Sequence, residues 1–357
     1  MTYKSSINPV LGFDPQEVEI SNSEIQNFKD CRRKWYFTNY LGLAKPPKLF
    51  GPLTLGTIVH AALEKYYKTY DLNDLTDQYT KEANKLVLQF ESSPESEDAE
   101  FRKKFYSETI ELGRIMVEGY RDMIEEEGYD ASVKIISVEE KLEHIVKGLE
   151  FDRTVKLIGK IDARIQRATD GTYGVLDHKT VAAGNWEGYY QTSNSSEQFL
   201  HYNVLEKMNR PDDDFVDGGV YNLLKKVKRS ARAKPPFYGR VDVRFSSNQL
   251  RNYYDRTIAT VVEMVRTREA LDNGANHHEV AYPHITKDCS WKCPLYNYCV
   301  VNPFIDDSPV HGRYEEMLLD NFEQVNPLQR YVEEEITENT VILTSEATSD
   351  EAKKILS

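Results

Sequence analysis

Four cysteines in 357 residues constrain this fold more than any other feature. Cys31 stands alone near the start, whereas Cys289, Cys293 and Cys299 crowd into one turn-rich stretch, Asp-Cys-Ser-Trp-Lys-Cys-Pro-Leu-Tyr-Asn-Tyr-Cys. Used together, they require a fold that brings segments far apart in sequence to one place, as a four-thiolate metal site does. Two disulfides or buried free thiols are the alternatives. A tetrahedral all-cysteine site suits zinc or an iron–sulfur cluster, and spacing alone does not separate the two. The chain opens Met-Thr-Tyr-Lys without the apolar stretch of a signal sequence and carries no long apolar run. The expected compartment is therefore cytoplasmic, where thiols stay reduced and disulfides are rare, and no membrane partner is expected.

The net charge of −13 weighs at first against a polyanionic partner, but it is unevenly spread: from Asp306 onward there are 13 acidic and 4 basic residues. The opposite bias appears at Lys225, Lys226, Lys228, Arg229, Arg232 and Lys234, with no acid between Asn222 and Val241. Such a strip can hold a phosphate backbone or can be a solvated loop.

Apolar spacing predicts helices over about 21–40, 54–70, 76–90 and 99–127, the first opened by a Ser21…Glu24 capping-box pattern that places Cys31 on a buried helical side. Strands are expected at Val133–Leu142, Leu149–Arg153, Val155–Gln166 and Tyr173–Thr180, with Asp170-Gly171 as a hairpin turn. A helix at 196–209, strands at 216–224 and 237–245, and a helix from Ser247 to about Asp272 complete the pattern. Helices followed by a meander of strands flanked by helices make an α/β fold with a central sheet.

Within that frame Asp177 and Lys179 point the same way from a strand end, His178 points the other way, and Asp162 on the neighbouring hairpin strand brings a second carboxylate to the same edge. His60 and Glu64 share a helical face, although Glu64 is also well placed to pair with Lys68. Gln198 and Tyr202 share another face, and Gln198 also fits a capping box with Ser195.

In chain order these elements read Ser21-x-x-Glu24…Cys31-Arg32-Arg33-Lys34-Trp35-Tyr36, Gly56-x-x-x-His60-x-x-x-Glu64, Gly159-Lys160-Ile161-Asp162, Asp177-x-Lys179-Thr180, Gln198-x-x-x-Tyr202, then Cys289, Cys293 and Cys299. Over about residues 20–300 this resembles the PD-(D/E)xK nucleases of the RecB/AddB iron–sulfur type, including CRISPR-associated adaptation nucleases and phage-encoded relatives. Two departures are visible: Ile161 stands where the family name has proline, and three residues separate Cys289 from Cys293 where two is commoner.

The resemblance implies a restriction-endonuclease-like mixed sheet flanked by helices, with an N-terminal helical section at about 54–130 and an iron–sulfur-stapled C-terminal segment. The expected division is an arm over 1–20, a nuclease domain over 21–303 and an acidic tail over 304–357. It also implies that His60, Asp162, Asp177 and the His178 backbone carbonyl hold Mg2+ or Mn2+, with Glu64 reaching a second metal through water. Lys179 would act on the reacting phosphate, Gln198 and Tyr202 would support it, and Cys31, Cys289, Cys293 and Cys299 would bind a 4Fe–4S cluster rather than zinc. The expected activity is metal-dependent exonucleolytic hydrolysis of single-stranded DNA or DNA ends in replication or recombination, with a helicase or recombination partner. A structure-specific endonuclease and a non-catalytic DNA-binding scaffold are the alternatives.

Overall fold

The computed structural model describes residues 16–46, 48–49, 51–212, 215–301, 318–328 and 342–357. Its strands are β1 (Glu17–Ser21), β2 (Leu43–Ala44), β3 (Val133–Lys147), β4 (Thr154–Arg167), β5 (Tyr173–Ala182), β6 (Phe215–Lys226), β7 (Tyr238–Arg244), β8 (Glu323–Gln324) and β9 (Ile342–Thr348). The helices used below are α1 (Asn22–Asp30), α2 (Arg32–Trp35), α3 (Pro52–Thr69), α4 (Leu72–Glu91), α5 (Ala99–Phe105), α6 (Glu111–Glu127), α7 (Trp186–Thr192), α8 (Glu197–Asn209) and α9 (Ser247–Asp272). The chain divides into two units, one of Lys48–Lys141 with Lys160–Leu250, the other of the segments up to Pro47, Leu142–Gly159 and from Arg251 on.

In the first unit the sheet runs β7-β6-β5-β4-β3. It is mixed: β4 and β5 pair antiparallel, β5 and β6 parallel, β6 and β7 antiparallel. The β4–β5 turn forms as the Asp-Gly pair predicts, with Gly171 at φ +73° and Asp170 Oδ1 accepting from the Thr172 amide at 3.0 Å. Helices flank this sheet, α3 packing on β5, α6 on β6, and α8 on both. Pro52 opens α3, and Leu55, Ile58, Val59, Ala62, Leu63 and Tyr66 form its buried stripe. They pack with Leu75, Tyr79 and Phe90 of α4, Phe105 of α5, and Met116 and Tyr120 of α6 in one apolar core. The Phe90 and Phe105 rings stack at 4.0 Å.

In the second unit β1 pairs parallel with the first residues of β4 and β9 lies beside β3. The expected 21–40 helix is not continuous. Ser21 caps α1, its hydroxyl accepting from the Glu24 amide at 3.3 Å, but Cys31 is extended (φ −166°, ψ 113°) and separates α1 from α2. Cys31 is therefore half-buried at a break rather than on a helix face. The Glu24 carboxylate does not complete a capping box; it accepts from Trp35 Nε1 at 2.9 Å and Arg268 at 3.2 Å, a buried charge with its partner. Leu149–Arg153, expected as a strand, belongs to the β3–β4 connection, which Gly148 enters at φ +78°. Residues 342–348 of the acidic C-terminal stretch form β9, where Ser345 Oγ lies 3.0 Å from His144 Nδ1 and Glu346 pairs with Lys147 at 2.9 Å. Residues 1–15, 302–317 and 329–341, which carry most of the expected arm and tail, lie outside the described residues.

Candidate active site

The β4–β5 ladder pairs Ala163 with Leu176, and the next two positions toward the sheet edge are Asp162 and Asp177. There Asp162 Oδ2 accepts the His178 amide at 2.7 Å, so a carboxylate replaces a backbone acceptor where the strands part. His60, on α3, places Nδ1 3.7 Å from the same oxygen. Asp177, only 2% exposed, is contacted from two sides. Lys179 Nζ lies 2.6 Å from Oδ2, and Gln198 Nε2 donates to Oδ1 at 3.1 Å while lying 3.0 Å from the Tyr202 hydroxyl. Ser196 rather than Ser195 caps α8, accepting from the Phe199 amide, and this leaves Gln198 facing Asp177.

The electrostatics follow from packing acids and bases in a small volume. Burial, then the charge of Asp177, pushes the Asp162 carboxyl up to about 7. Burial disfavours the Lys179 ammonium, but the carboxylates of Asp177 and Asp162 outweigh it and hold Lys179 protonated beyond its ordinary range. Burial lowers His60 despite the pull of Asp177, and lowers His178 further, with His60 adding to the effect.

His178 looks into the other face of the sheet. Its ring stacks on Tyr67 at 5.5 Å and meets His60 edge-on at 5.7 Å. The Asn222 amide lies 2.8 Å from His178 Nδ1 and donates to the Tyr120 hydroxyl at 2.9 Å, so Nδ1 is the acceptor and the ring proton sits on Nε2. The sequence motifs point to neither Asn222 nor Tyr67; an asparagine set between Val220-Tyr221 and Leu223-Leu224 was the available signal, and it is fully buried.

Glu139 is the acid that pattern reading missed. It sits within β3 at φ +54°, a left-handed conformation rare for a non-glycine residue, and pairs with Lys160 at 2.7 Å. Burial and the Asp162 charge push its carboxyl up to about 7. Glu64 pairs with Lys68 at 2.5 Å, the ion pair its spacing also allowed.

The basic strip is split. Lys228, Arg229, Arg232 and Lys234 are exposed, and Lys225 and Lys226 half-buried. Lys225 and Lys226 end β6, Lys225 lying over the Trp186 ring at 4.5 Å, and Arg229 covers Phe237 at 3.8 Å and donates to the Tyr238 hydroxyl at 2.8 Å. Arg229 thus does packing work as well as carrying charge.

In the other unit, Cys31, Cys289, Cys293 and Cys299 all line one small apolar pocket with Phe37, Pro283 and Leu295. The His284 amide points at Cys31 Sγ and the Thr286 amide at Cys289 Sγ, both at 3.3 Å, contacts that favour thiolate sulfur. Burial raises the Cys293 thiol and pushes Cys299 up to about 11, with the other sulfurs adding to the effect. No two of the four form a disulfide. Among the described residues no group of three or more His, Cys, Asp or Glu side chains is arranged to hold a metal ion. The cysteines converge without adopting ligating geometry, and Asp162, Asp177 and His60 likewise supply a suitable donor set without forming a coordination shell. The donor chemistry fits nonetheless. Asp177 Oδ2 is buried against the Lys179 ammonium, and two carboxylates with one imidazole match Mg2+ or Mn2+.

Comparison with known proteins agrees with this geometry. A family model described as the PD-(D/E)XK nuclease superfamily matches residues 19–300. Three curated proteins from Streptococcus agalactiae, of serotypes Ia, V and III, each named as a subunit of an ATP-dependent helicase/deoxyribonuclease, are 28% identical over 167 residues. The match covers 46% of this chain and 14% of each relative, so the chain spans only a small part of their length.

Proposed function

The chain belongs to the PD-(D/E)XK nuclease superfamily, and from that premise we propose that it is a divalent-metal-dependent deoxyribonuclease acting on single-stranded DNA or DNA ends. The observation that carries this reading is the convergence of Asp162, Asp177 and Lys179 where the β4–β5 ladder ends, with Gln198 bracing Asp177 from α8.

Asp162, Asp177 and His60, with the His178 carbonyl, are the residues assigned to Mg2+ or Mn2+. When bound, the ion would activate the attacking water and neutralise charge on the leaving oxygen. Lys179 remains protonated and so meets the developing negative charge of the phosphorane rather than removing a proton. Gln198 braces Asp177 with Tyr202 behind it, and Glu64 is assigned to a second metal through water. Lys228, Arg232 and Lys234 are assigned to substrate phosphates.

The four cysteines are proposed to hold a metal centre that fastens Cys31 to the 289–299 segment. Their shared pocket and the amides directed at two sulfurs support such a centre. A 4Fe–4S cluster is the form suggested by the family resemblance, with zinc as the alternative. The name of the Streptococcus relatives suggests a helicase partner.

End-labelled linear DNA and covalently closed circular single strands, incubated with Mg2+ or Mn2+, test the activity. Mononucleotides from linear DNA alone support the exonuclease reading, and cleavage of circles favours the structure-specific endonuclease. Binding without cleavage leaves the non-catalytic scaffold.

A further inference from the structure

Asp177 and Tyr221 are register partners on the parallel strands β5 and β6, so the Tyr221 ring lies on the same sheet face as Asp177 and Lys179. Tyr189 of α7 meets that ring edge-on at 5.3 Å. Further along α7, Trp186 is buried beneath Tyr190 at 6.1 Å between ring centres and carries Lys225 on its face. Tyr190 itself is 44% exposed. Its hydroxyl end rests by Gly239 of β7, where an added Cβ would lie 2.7 Å from the Tyr190 oxygen. Register pairs Val181 with Lys225, four residues beyond Asp177 and Tyr221. At about 3.3 Å per residue, α7 therefore touches β6 at two points roughly 13 Å apart, Tyr221 beside the carboxylates and Lys225 at the start of the basic loop.

Aromatic rings leading from a catalytic edge toward cations are the arrangement single-strand binders use: bases stack on rings while phosphates meet lysine and arginine. Glu187 is the one acid between Ala183 and Ser196, and no acid interrupts the chain from Asn222 to Val241, so this track complements a polyanion. We propose that α7 is a base-stacking platform for the substrate single strand, with Tyr190 the principal ring, Tyr189 the ring nearest the reacting phosphate, and Lys225, Lys228 and Arg232 on the flanking phosphates. The proposal rests on the nuclease reading above and adds to it how the strand is held.

The test compares the full-length chain with its Tyr190→Ala and Tyr190→Phe variants, binding a fluorescent oligothymidylate and an abasic oligonucleotide of equal length in chelator. Tyr190→Ala is expected to lose roughly tenfold in affinity for oligothymidylate. Binding of the abasic strand should stay as in wild type, Tyr190→Phe should bind both as wild type does, and the salt slope should not change. Unchanged oligothymidylate binding by Tyr190→Ala, or an equal loss on the abasic strand, overturns the platform. Metal-dependent cleavage by the wild-type chain tells the two levels apart: if cleavage is present and the stacking signature absent, only this inference falls. If wild type neither binds nor cleaves DNA, the nuclease reading falls with it.

Discussion

Gln198 Nε2 donates to Asp177 Oδ1 at 3.1 Å, so a helix residue fixes the orientation of a carboxylate on the neighbouring strand. Removing an outer partner of a metal-binding carboxylate commonly costs about 10–100-fold in metal affinity or activity. Gln198→Ala is therefore expected to raise the Mg2+ concentration for half-maximal cleavage by about that factor, with a smaller change in the rate at saturating metal. Metal titration of the cleavage rate checks it, and an unchanged titration curve would remove Gln198 from the site.

If the cysteine pocket holds a metal, Cys31→Ser should release it and lower thermal stability, because Cys31 is the residue that lies far in sequence from the other three. Anaerobically purified wild-type protein is expected to be brown, with about four irons per chain for a 4Fe–4S cluster. Stoichiometric zinc with no iron would replace the cluster by a structural zinc site. The absence of any bound metal would leave four converging but free thiols.

Lys228, Arg232 and Lys234 are exposed, and Arg229, exposed as well, is also engaged with Phe237 and Tyr238. Replacing the first three by glutamine should weaken DNA binding and lower the slope of log affinity against log salt by roughly 0.7 per lost single-strand phosphate contact. Arg229→Gln should in addition lower stability. Wild-type affinity and salt slope in the triple variant would show that the strip is a solvated loop.

Much of the fold was legible because it rests on local periodicity. The α9 helix begins and ends as its pattern predicts, and the Asp170-Gly171 turn follows from the φ that glycine permits. The misreadings arose where tertiary demands overrode local pattern. Cys31 leaves helical geometry, so the helix read through it breaks, and Gly148 turns the chain where alternation suggested a further strand. The Asp162, Asp177, Lys179 and Gln198 constellation could be drawn from motif spacing, yet the contacts among them are not implied by spacing. Glu139 was invisible because a positive φ at a glutamate leaves no mark in the sequence.

His144 is fully buried in β3, beside Ser345 of β9, and burial lowers its pKa to about 4. The sign is that of a histidine kept neutral by folding. The unfolded chain takes up a proton near pH 6.5 and the folded one does not, so stability is full above that pH, falls between about 6.5 and 4, and levels off below. The contribution is on the order of 3 kcal/mol for a shift of this size. Denaturant midpoints for wild type and His144→Gln between pH 7.5 and 4 should converge as pH falls, and parallel curves would show that another group governs the acid limb.

The central claim is tested most directly by nucleotide release from linear DNA with Mg2+ or Mn2+, comparing wild type with a folded Asp177→Ala variant. The account predicts cleavage by wild type that stops on chelation, and a loss of about a hundredfold or more in the variant, with DNA binding retained. Equal cleavage by the two proteins, or cleavage that persists after chelation, would contradict it.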